Sequence, residues 1–505
     1  MKLIGKLINK ISILYIIDAL CILGVIWTII PTILITRYTY PVQDDFHLVT
    51  TIHNVMNQGH GIISSALIMT WDYYKNFMGA YSASFFVFVF EALIHCSQPG
   101  IMIFETCSLL LFYASMFLLV VAIVKNIFGI GFKYIPIMYF VIISWVNNVY
   151  YYADHDDFYW LDTSILYLSI MAIAFIGAWC TTNLPKYHGK KLYWVFCVLG
   201  IICSFIGSGA NLCLSFMNCA IQVIISVLLW MKGEKIRIYI SPVVAGLIGT
   251  FINGIAPGNY VRNGGTAGIE TLFQSLYLAF RYSYERVEYY LEQPLFGVIL
   301  IILFLILILF PVEYANFKYG YRLPLCAFAI LFCAIAFVSF PGILGYGYEC
   351  VKICMRLMFV IDCMILIACF IGTLYVSGWI KKKYVNTISS EMKRDITVVA
   401  FVIICFLFTK LRDGEWLWTP VVRMYRELNS GRYEEYSDYV WNVYNQIDSS
   451  DEKIAVVYCN ELEDKSCLPN PEFCYGDHGN EAEYYYDDTI ALYYGKDAVY
   501  LYNED

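Results

Sequence analysis

The chain has 505 residues, of which 60% are apolar and only 15% are charged, and its formal net charge is −8. Soluble proteins carry roughly 25% charged residues, and the apolar residues here recur in runs of about 20, the length that crosses ~30 Å of hydrocarbon. This composition excludes an ordinary soluble domain, and the sequence has no basic patch or motif that would favour a nucleic-acid partner. We therefore predict an all-α polytopic membrane protein that is embedded in the lipid bilayer.

The first membrane span is predicted close to the N-terminus. Lys2, Lys6 and Lys10 precede an apolar run at residues 13–35, and no small-residue cleavage site follows that run. This pattern predicts an uncleaved span whose N-terminus lies in the cytoplasm.

A large first outer loop is expected at residues 37–82. Within it, residues 62–81 mix apolar and polar side chains, which predicts a helix that lies flat at the membrane surface. Residues 84–95 are apolar but too few to span, so a second surface helix or a re-entrant helix is expected there.

Ten further apolar runs complete a predicted transmembrane domain of about 11 helices within residues 1–409. They lie at residues 101–124, 133–150, 162–180, 192–206, 212–231, 238–254, 294–313, 324–340, 357–377 and 395–409. If successive loops alternate sides, the N-terminus and inner loops hold 18 Lys and Arg, against 7 in the outer loops before residue 410. This distribution agrees with the positive-inside rule.

The C-terminal segment, residues 410–505, is predicted to be a separate extracytoplasmic domain because the number of spans is odd. It holds 21 carboxylates and 8 Lys and Arg, a balance of −13. Its hydrophobic pattern predicts a small α/β cap. The predicted elements are a helix at 421–447, a strand at 454–458, a helix at 482–494 and a strand at 498–502.

Acidic residues collect in the first two outer loops. Asp44, Asp45 and His47 follow the first span, and the second loop reads Asp154-His155-Asp156-Asp157-Phe158-Tyr159-Trp160-Leu161-Asp162. Carboxylates beside hydrocarbon are costly to keep ionised, which favours a functional role such as a general base or a divalent-cation site. The alternatives are a helix N-cap or solvated turn at Asp44-Asp45, and a simple solvated loop at residues 154–157.

Cationic residues collect in the next two outer loops. Arg262 and Arg281 lie in the loop at residues 253–293, and Lys352 and Arg356 lie in the following loop. Guanidinium groups bind phosphate through a fork of N–H donors, although Arg262 could instead bind loop carbonyls. Acids and cations at one membrane face are the arrangement expected for an enzyme that moves a group off a lipid phosphate.

These motifs resemble those of the GT-C class of membrane glycosyltransferases. Asp44-Asp45-Phe46 resembles the acidic motif that these enzymes carry early in their first outer loop, and Asp154-His155-Asp156 resembles the D-x-D-like motif of the oligosaccharyltransferase branch. Ala256-Pro257-Gly258-Asn259-Tyr260-Val261-Arg262 and Thr489-Ile490-Ala491-Leu492-Tyr493-Tyr494-Gly495 are similar to an uncharacterised bacterial family of polytopic proteins that is grouped beside GT-C enzymes. The resemblance covers nearly the whole chain and implies a GT-C-like bundle.

The resemblance implies transfer of a sugar from a polyprenyl phosphate or diphosphate donor in the outer leaflet. The acceptor would be a hydroxyl group of a glycan, lipid or protein of a bacterial cell envelope. Asp44 or Asp45 would remove the acceptor proton as general base. One departure concerns Gly79-Ala80, where the family pattern would place a Gly-Arg pair. If that arginine contacts the donor phosphate, an active enzyme must use another cation here.

The other expected roles follow from the same resemblance. The donor phosphate would be bound by Arg262, Arg356, Arg281 and Lys352. Further site candidates are His47, Asp157, Trp160 and Asn259. If the reaction uses a divalent cation, Asp154 and Asp156 would be its ligands, and their oxygen atoms suit Mg²⁺ or Mn²⁺.

Two other classes of protein stay open at this point. A transporter or lipid flippase would need polar residues through the bundle or a helix broken at mid-membrane. Residues 207–211 are a candidate break, although they fit an outer turn better. A non-catalytic assembly protein would use its acidic C-terminal segment to bind a partner in the envelope.

Overall fold

The computed structural model describes residues 13–148, 156–262, 269–384, 419–458, 468–469, 471 and 484–502. Almost all secondary structure in these ranges is α-helical. The prediction of an all-α polytopic membrane protein is confirmed at this level.

The first span is followed by three short helices. These elements are α1 (Ile13–Ile35), a 3₁₀ turn (Thr36–Tyr38), α2 (Gln43–Met56), α3 (Ile62–Asn76) and α4 (Tyr81–Ile94). Ile63, Leu67 and Trp71 form an exposed stripe along α3, while Ser65 and Ala66 on the same helix are buried. An apolar stripe opposite a buried face agrees with the predicted surface helix.

The rest of the bundle continues from residue 98 to residue 384. Its helices are α5 (Gln98–Val121), α6 (Ile135–Asn148), α7 (Asp156–Tyr159), α8 (Leu161–Thr163), α9 (Ile170–Tyr187), α10 (Lys191–Gly207), α11 (Leu212–Lys232), α12 (Ile240–Gly254), α13 (Pro257–Arg262), α14 (Ile269–Glu292), α15 (Pro294–Leu309), α16 (Pro324–Tyr346), α17 (Tyr348–Ile353) and α18 (Met355–Tyr384). π-Helical turns extend α5 (Ala122–Ile127) and join α8 to α9 (Ser164–Ser169). Short 3₁₀ turns precede α6 (Phe132–Tyr134) and α12 (Ile236–Ile238).

Six of the described helical segments are long and apolar enough to cross a membrane. They are Tyr15–Tyr38, Gln98–Ile127, Leu161–Tyr187, Leu212–Lys232, Pro324–Tyr346 and Met355–Tyr384. Helices α14 and α15 pass the same test only as a pair, and they are bent by 81° at their junction. The chain is therefore a multi-pass membrane protein, while the count of 11 spans stays a prediction and the span expected at 395–409 lies outside the described residues.

The described part of the C-terminal segment combines helices with a two-stranded sheet. Its elements are α19 (Pro420–Ser430), α20 (Arg432–Ser449), β1 (Ile454–Tyr458), α21 (Tyr484–Tyr493) and β2 (Ala498–Tyr502), with the two strands parallel. The strands lie where the sequence predicts them. The single helix predicted at 421–447 is divided because Gly431, at φ +79°, adopts the left-handed conformation that ends a helix.

A buried ion pair fixes α14 against α18. The Arg286 guanidinium donates to both carboxylate oxygens of Asp362, with Nη2–Oδ2 at 2.6 Å and Nε–Oδ1 at 3.1 Å. The side chains are 11% and 1% exposed, and the guanidinium also lies 4.7 Å from the ring centroid of Tyr289. Two parallel charge-assisted hydrogen bonds satisfy charges that would otherwise be costly to bury.

Replacing Arg286 by methionine should therefore destabilise the bundle strongly. The substitution leaves the Asp362 carboxyl buried without its cation, which costs about 3–5 kcal/mol in free energy of unfolding. The matched control is Arg281→Met, because Arg281 is 53% exposed and its ion pair with Glu285 lies at the surface. Thermal unfolding in detergent should show a large drop in midpoint for the first variant only, and equal midpoints would contradict a structural role for the buried pair.

Candidate functional site

Asp45 holds the start of α2. It stands three residues after Val42, the residue that precedes the helix, and its Oδ2 accepts a hydrogen bond of 2.7 Å from the Val42 N–H. Its Oδ1 accepts a second bond, of 3.2 Å, from the N–H of Asp162. Asp45 is fully buried. An acid at this position satisfies a backbone donor that the helix leaves unpaired and interacts favourably with the helix dipole, so Asp45 adopts the capping role considered above.

Asp44 instead faces a cavity of about 340 Å³. The cavity is lined by Asp44, His47, Leu48, Asp72, Tyr73, Phe77, Met78, Ser84, Val87, Phe88, Asp162 and Leu166. Burial raises the pKa of the Asp44 carboxyl, and the positive charges of Arg356, His47 and Arg262 oppose that rise. Residues from the first, third and fourth predicted outer loops therefore act on one carboxyl group.

Two further carboxyl groups belong to this site and were not among the candidates. Asp162 lines the cavity beside Asp44, and its charge interacts with those of Asp44, Asp45 and Arg356. Glu91, on α4, is fully buried behind Asp45. The signal for Glu91 was a single acid within the apolar run at 84–95, since an ionisable side chain among apolar ones is costly to bury and marks a candidate functional position.

Arg262 lies between two aromatic rings. Its guanidinium carbon is 4.5 Å from the ring centroid of Phe77 and 5.0 Å from that of Tyr346. Arg262 also lines a smaller cavity of about 50 Å³ together with Gly79 and Ala80. Met78 lines both this cavity and the acidic one. A positive charge therefore shares this cavity with Ala80, the position at which the sequence resemblance led us to expect an arginine.

The segment that carries Arg262 is fixed by a close backbone approach. The Asn259 Oδ1 accepts from the Gly79 N–H at 2.9 Å, and the Asn259 Nδ2 donates to the Asn253 carbonyl at 2.7 Å. A methyl group at Gly258 would lie 2.7 Å from the backbone nitrogens of Met78 and Phe77, closer than real Cβ contacts. Gly258 and Asn259 of the quoted motif thus position Arg262, and Asn259 lines the smaller cavity.

Arg356 is the second arginine whose positive charge acts on the acids of the cavity. Its guanidinium carbon lies 4.6 Å from the ring centroid of Trp160, which is buried between α7 and α8. Arg356 and Trp160 are therefore neighbours, and the Arg356 charge acts on both Asp44 and Asp162.

Arg281 and Lys352 form a different cluster. Both pair with Glu285, at 2.9 Å and 3.6 Å, and Tyr348 donates a hydrogen bond to the same carboxylate. The structure does not bring these two cations to the acidic cavity, and a carboxylate already compensates them. The expectation that they bind the donor phosphate stays untested, and their placement does not favour it.

The predicted metal ligands cannot be placed. Asp154 lies outside the described residues, and for Asp156 and Asp157 the structure describes the helical backbone of α7 but not the side chains. In the described ranges, no group of three or more His, Cys, Asp or Glu side chains is arranged to hold a metal ion. Asp154 and Asp156 stay the predicted ligands of Mg²⁺ or Mn²⁺.

The C-terminal segment packs directly on the stretch that leads into Asp44. Three aromatic pairs join α20 to this stretch, with ring centroids 6.2, 6.1 and 5.1 Å apart; they are Tyr38–Tyr433, Tyr40–Tyr436 and Phe46–Tyr444. The Tyr444 hydroxyl also donates to the Pro41 carbonyl at 2.8 Å. The segment therefore lies on the same side of the bundle as the acidic cavity.

Comparison of the sequence with family models and with curated proteins, and of the structure with solved structures, found no match. The fold and the site define the class as an all-α multi-pass membrane protein with an acidic cavity at one end of its bundle. In this cavity a carboxylate could accept a proton, and the positive charges of Arg262 and Arg356 act on that carboxylate although neither side chain lines the cavity.

The close approach at Gly258 gives a specific test. Gly258→Ala should lower the free energy of unfolding by about 1–3 kcal/mol, because the added methyl group forces α13 away from the end of α3. Gly254→Ala is the control, since a methyl group at Gly254 would meet no atom within 4 Å. Unfolding midpoints of the purified variants in detergent should separate the two, and identical midpoints would show that the contact is not tight.

Proposed function

We propose that the chain is an integral membrane glycosyltransferase of GT-C type. It would move a sugar from a polyprenyl phosphate or diphosphate donor to a hydroxyl group of an envelope glycan, lipid or protein. The observation that carries the proposal is that Asp44 lines the acidic cavity and that two guanidinium groups from later parts of the chain, those of Arg262 and Arg356, act on its carboxyl group.

The reaction needs one base and one anion clamp. The acceptor oxygen attacks the anomeric carbon, the bond from that carbon to the phosphate oxygen breaks, and the acceptor proton moves to a carboxylate. The lipid phosphate leaves with the bonding electron pair and an added negative charge. Attack from the side opposite the phosphate inverts the anomeric centre.

Asp44 is the better base of the two adjacent acids. Both oxygens of Asp45 already accept backbone N–H bonds, from Val42 and Asp162, and Asp45 is fully buried. Asp44 lines the cavity and is partly exposed. A general base must lie within hydrogen-bond reach of the proton that it removes, and this condition favours Asp44.

Arg262 and Arg356 are the proposed phosphate clamp. Both act on Asp44. The guanidinium group of Arg262 packs against two aromatic rings, and that of Arg356 packs against the ring of Trp160. Fixed positive charge where negative charge develops lowers the barrier, and removing one such donor typically costs about 10²–10³-fold in rate. In this proposal Arg262 replaces the arginine that Ala80 lacks.

The proposed site faces the outer leaflet. The C-terminal segment and the acidic cavity share one side of the bundle, and the excess of Lys and Arg in the loops predicted to be inside assigns the opposite side to the cytoplasm. The N-terminus would then be cytoplasmic, with the C-terminal cap outside.

Asp44→Asn tests the base directly. Removal of the base should reduce sugar transfer by about 10²–10⁴-fold, without a matching loss of folded protein. The assay would follow transfer from a panel of undecaprenyl-phosphate monosaccharides in membranes that contain each variant. Asp72→Asn is the matched comparison, because Asp72 lines the same cavity but pairs with Asn76. Full activity of Asp44→Asn, or an equal loss in both variants, would refute the role of Asp44.

Arg262→Ala should raise the KM for the donor lipid more than the KM for the acceptor. The reason is that Arg262 would bind the phosphate, which only the donor carries. Arg322→Ala is the control: Arg322 precedes α16, at the opposite end of that helix from Tyr346, against which Arg262 packs. Steady-state kinetics with each substrate varied in turn measure the difference. Equal effects on both KM values would argue against phosphate binding by Arg262.

The alternative is a polytopic transporter or lipid flippase, and the described residues show no contact that specifically favours it. Residues 208–211 join the end of α10 to the start of α11, and the Asn253 amide donates to the carbonyls of Ser208 and Ala210. This arrangement is a turn between two helices, as the sequence favoured. Solute uptake into vesicles without any sugar transfer would support the transporter.

A further inference from the structure

Two carboxyl groups are buried together behind the proposed base. Asp45 and Glu91 are both 0% exposed, whereas Asp44 is partly exposed at the cavity. Neither oxygen of Glu91 has a hydrogen bond of standard geometry within the described part of the chain. Glu91 lies close enough to Asp45 for a proton on Glu91 to stabilise the Asp45 carboxylate.

The charges around this pair differ from those around Asp44. Arg356, His47 and Arg262 act on Asp44. The charges that act most strongly on Asp45 and Glu91 are those of other carboxyl groups. The titratable groups that interact with the pair come from four helices and a loop; they are Asp44, Cys96, Glu105, Asp162 and Tyr444.

Neighbouring carboxyl groups in a low-dielectric site do not ionise together. The first negative charge makes the second ionisation costly, and two such groups titrate as a pair. A protonated Glu91 avoids an unpaired buried charge and supplies a donor beside Asp45, so that the pair holds at least one proton.

We propose that Asp45 and Glu91 form a proton-holding pair behind Asp44, in which Glu91 stays protonated and the second proton, on Asp45, controls the charge of the site. The inference rests on the proposed function, in which Asp44 is the base. Both members of the pair are positioning residues, since they act through the start of α2 and through the electric field at Asp44. With Asp45 ionised, an additional negative charge stands close to the departing lipid phosphate and opposes its release.

The direction of the pH effect follows from burial. Burial raises the pKa of Asp45 to about 7, although the hydrogen bonds from the backbone N–H groups of Val42 and Asp162 and the interaction with the nearby Glu91 carboxyl group partly oppose the rise. Burial, followed by the charge of Asp45, raises the pKa of Glu91 well above its ordinary value. Transfer should therefore be highest where Asp44 is ionised and Asp45 is still protonated, and it should fall as the pH rises through about 7.

The pH profile of sugar transfer tests the pair through three variants. Asp45→Asn should remove the decrease at higher pH, because the side chain no longer ionises. Glu91→Leu removes the donor to Asp45 and should move this decrease upward by about one pH unit. Glu91→Gln is the matched control: it is neutral and keeps an N–H donor, so the position of the decrease should not change. A decrease that persists in Asp45→Asn, or that Glu91→Gln moves as far as Glu91→Leu does, would overturn the proposal.

Thermal unfolding across the same pH range gives a readout that does not depend on activity. The native state binds a proton on Asp45 that the unfolded chain, with a pKa of about 3.9, has already lost. The stability that this proton contributes is complete below about pH 4 and is lost progressively as the pH rises to about 7. Asp45→Asn should lack this loss, so that its unfolding midpoint relative to that of the wild type increases up to about pH 7 and then stays constant.

The pH profile of transfer and the pH dependence of unfolding together distinguish the buried pair from the glycosyltransferase activity. The expected unfolding behaviour with no transfer at any pH would support the buried pair and contradict the glycosyltransferase. A difference in midpoint between Asp45→Asn and the wild type that does not change with pH would contradict the pair, even if the enzyme is active.

Discussion

The site depends on one buried carboxyl group, that of Asp45, which joins two distant parts of the chain. Asp45 accepts a hydrogen bond from the backbone N–H that precedes α2 and another from the backbone N–H of Asp162 at α8. Because these donors belong to different predicted outer loops, this side chain sets both where α2 begins and how it meets α8. The preceding residue, Asp44, lies about 100° around the helix from Asp45 and lines the cavity. The capping interpretation therefore applies to Asp45, whereas the proposed functional role concerns Asp44.

The C-terminal segment packs on the stretch that contains Asp44 and Asp45 and stabilises it further. Aromatic side chains of α20 cover residues 38–46, and Phe46 also lies 5.0 Å from the ring of Tyr493 on α21. Tyr40 donates to the Pro469 carbonyl, and Tyr425 on α19 donates to the Trp27 carbonyl within α1. The division at residues 409 and 410 stays a prediction, but these contacts make the C-terminal segment part of the support of the acidic stretch. This integration does not favour a role for the segment only as a detachable binding arm.

The features that could be predicted from the sequence are those that depend on composition and on the order of the loops. Runs of apolar residues predicted the membrane class, and the distribution of acids and cations among loops made Asp44, Arg262 and Arg356 site candidates. In the structure both guanidinium charges act on the Asp44 carboxyl group, while the functional roles of the three residues stay predictions. The sequence pattern did not separate these cations from Arg281 and Lys352. The Arg281–Glu285 pair lies at i,i+4 on α14 and was visible in the sequence, whereas the pairing of Lys352 with Glu285 depends on how α14 and α17 pack. Glu91 was missed for a related reason, since the face of α4 that turns inward is set by neighbours that the local pattern does not contain. Gly431 was overlooked within a long amphipathic run, where its left-handed conformation divides the helix.

The position of Arg262 beside Ala80 has a consequence for how such chains are compared. An anion-binding site needs a positive charge at a particular position, and any segment of the chain that folds close to that position can provide it. Here a short helix near residue 262 reaches the loop at residue 79 through an asparagine side chain and a glycine with no room for a methyl group. Alignment of the sequence alone would record only that Ala80 is not an arginine. In the proposed enzyme, the replacement by Arg262 would be recognised from the residues that surround Ala80 in three dimensions.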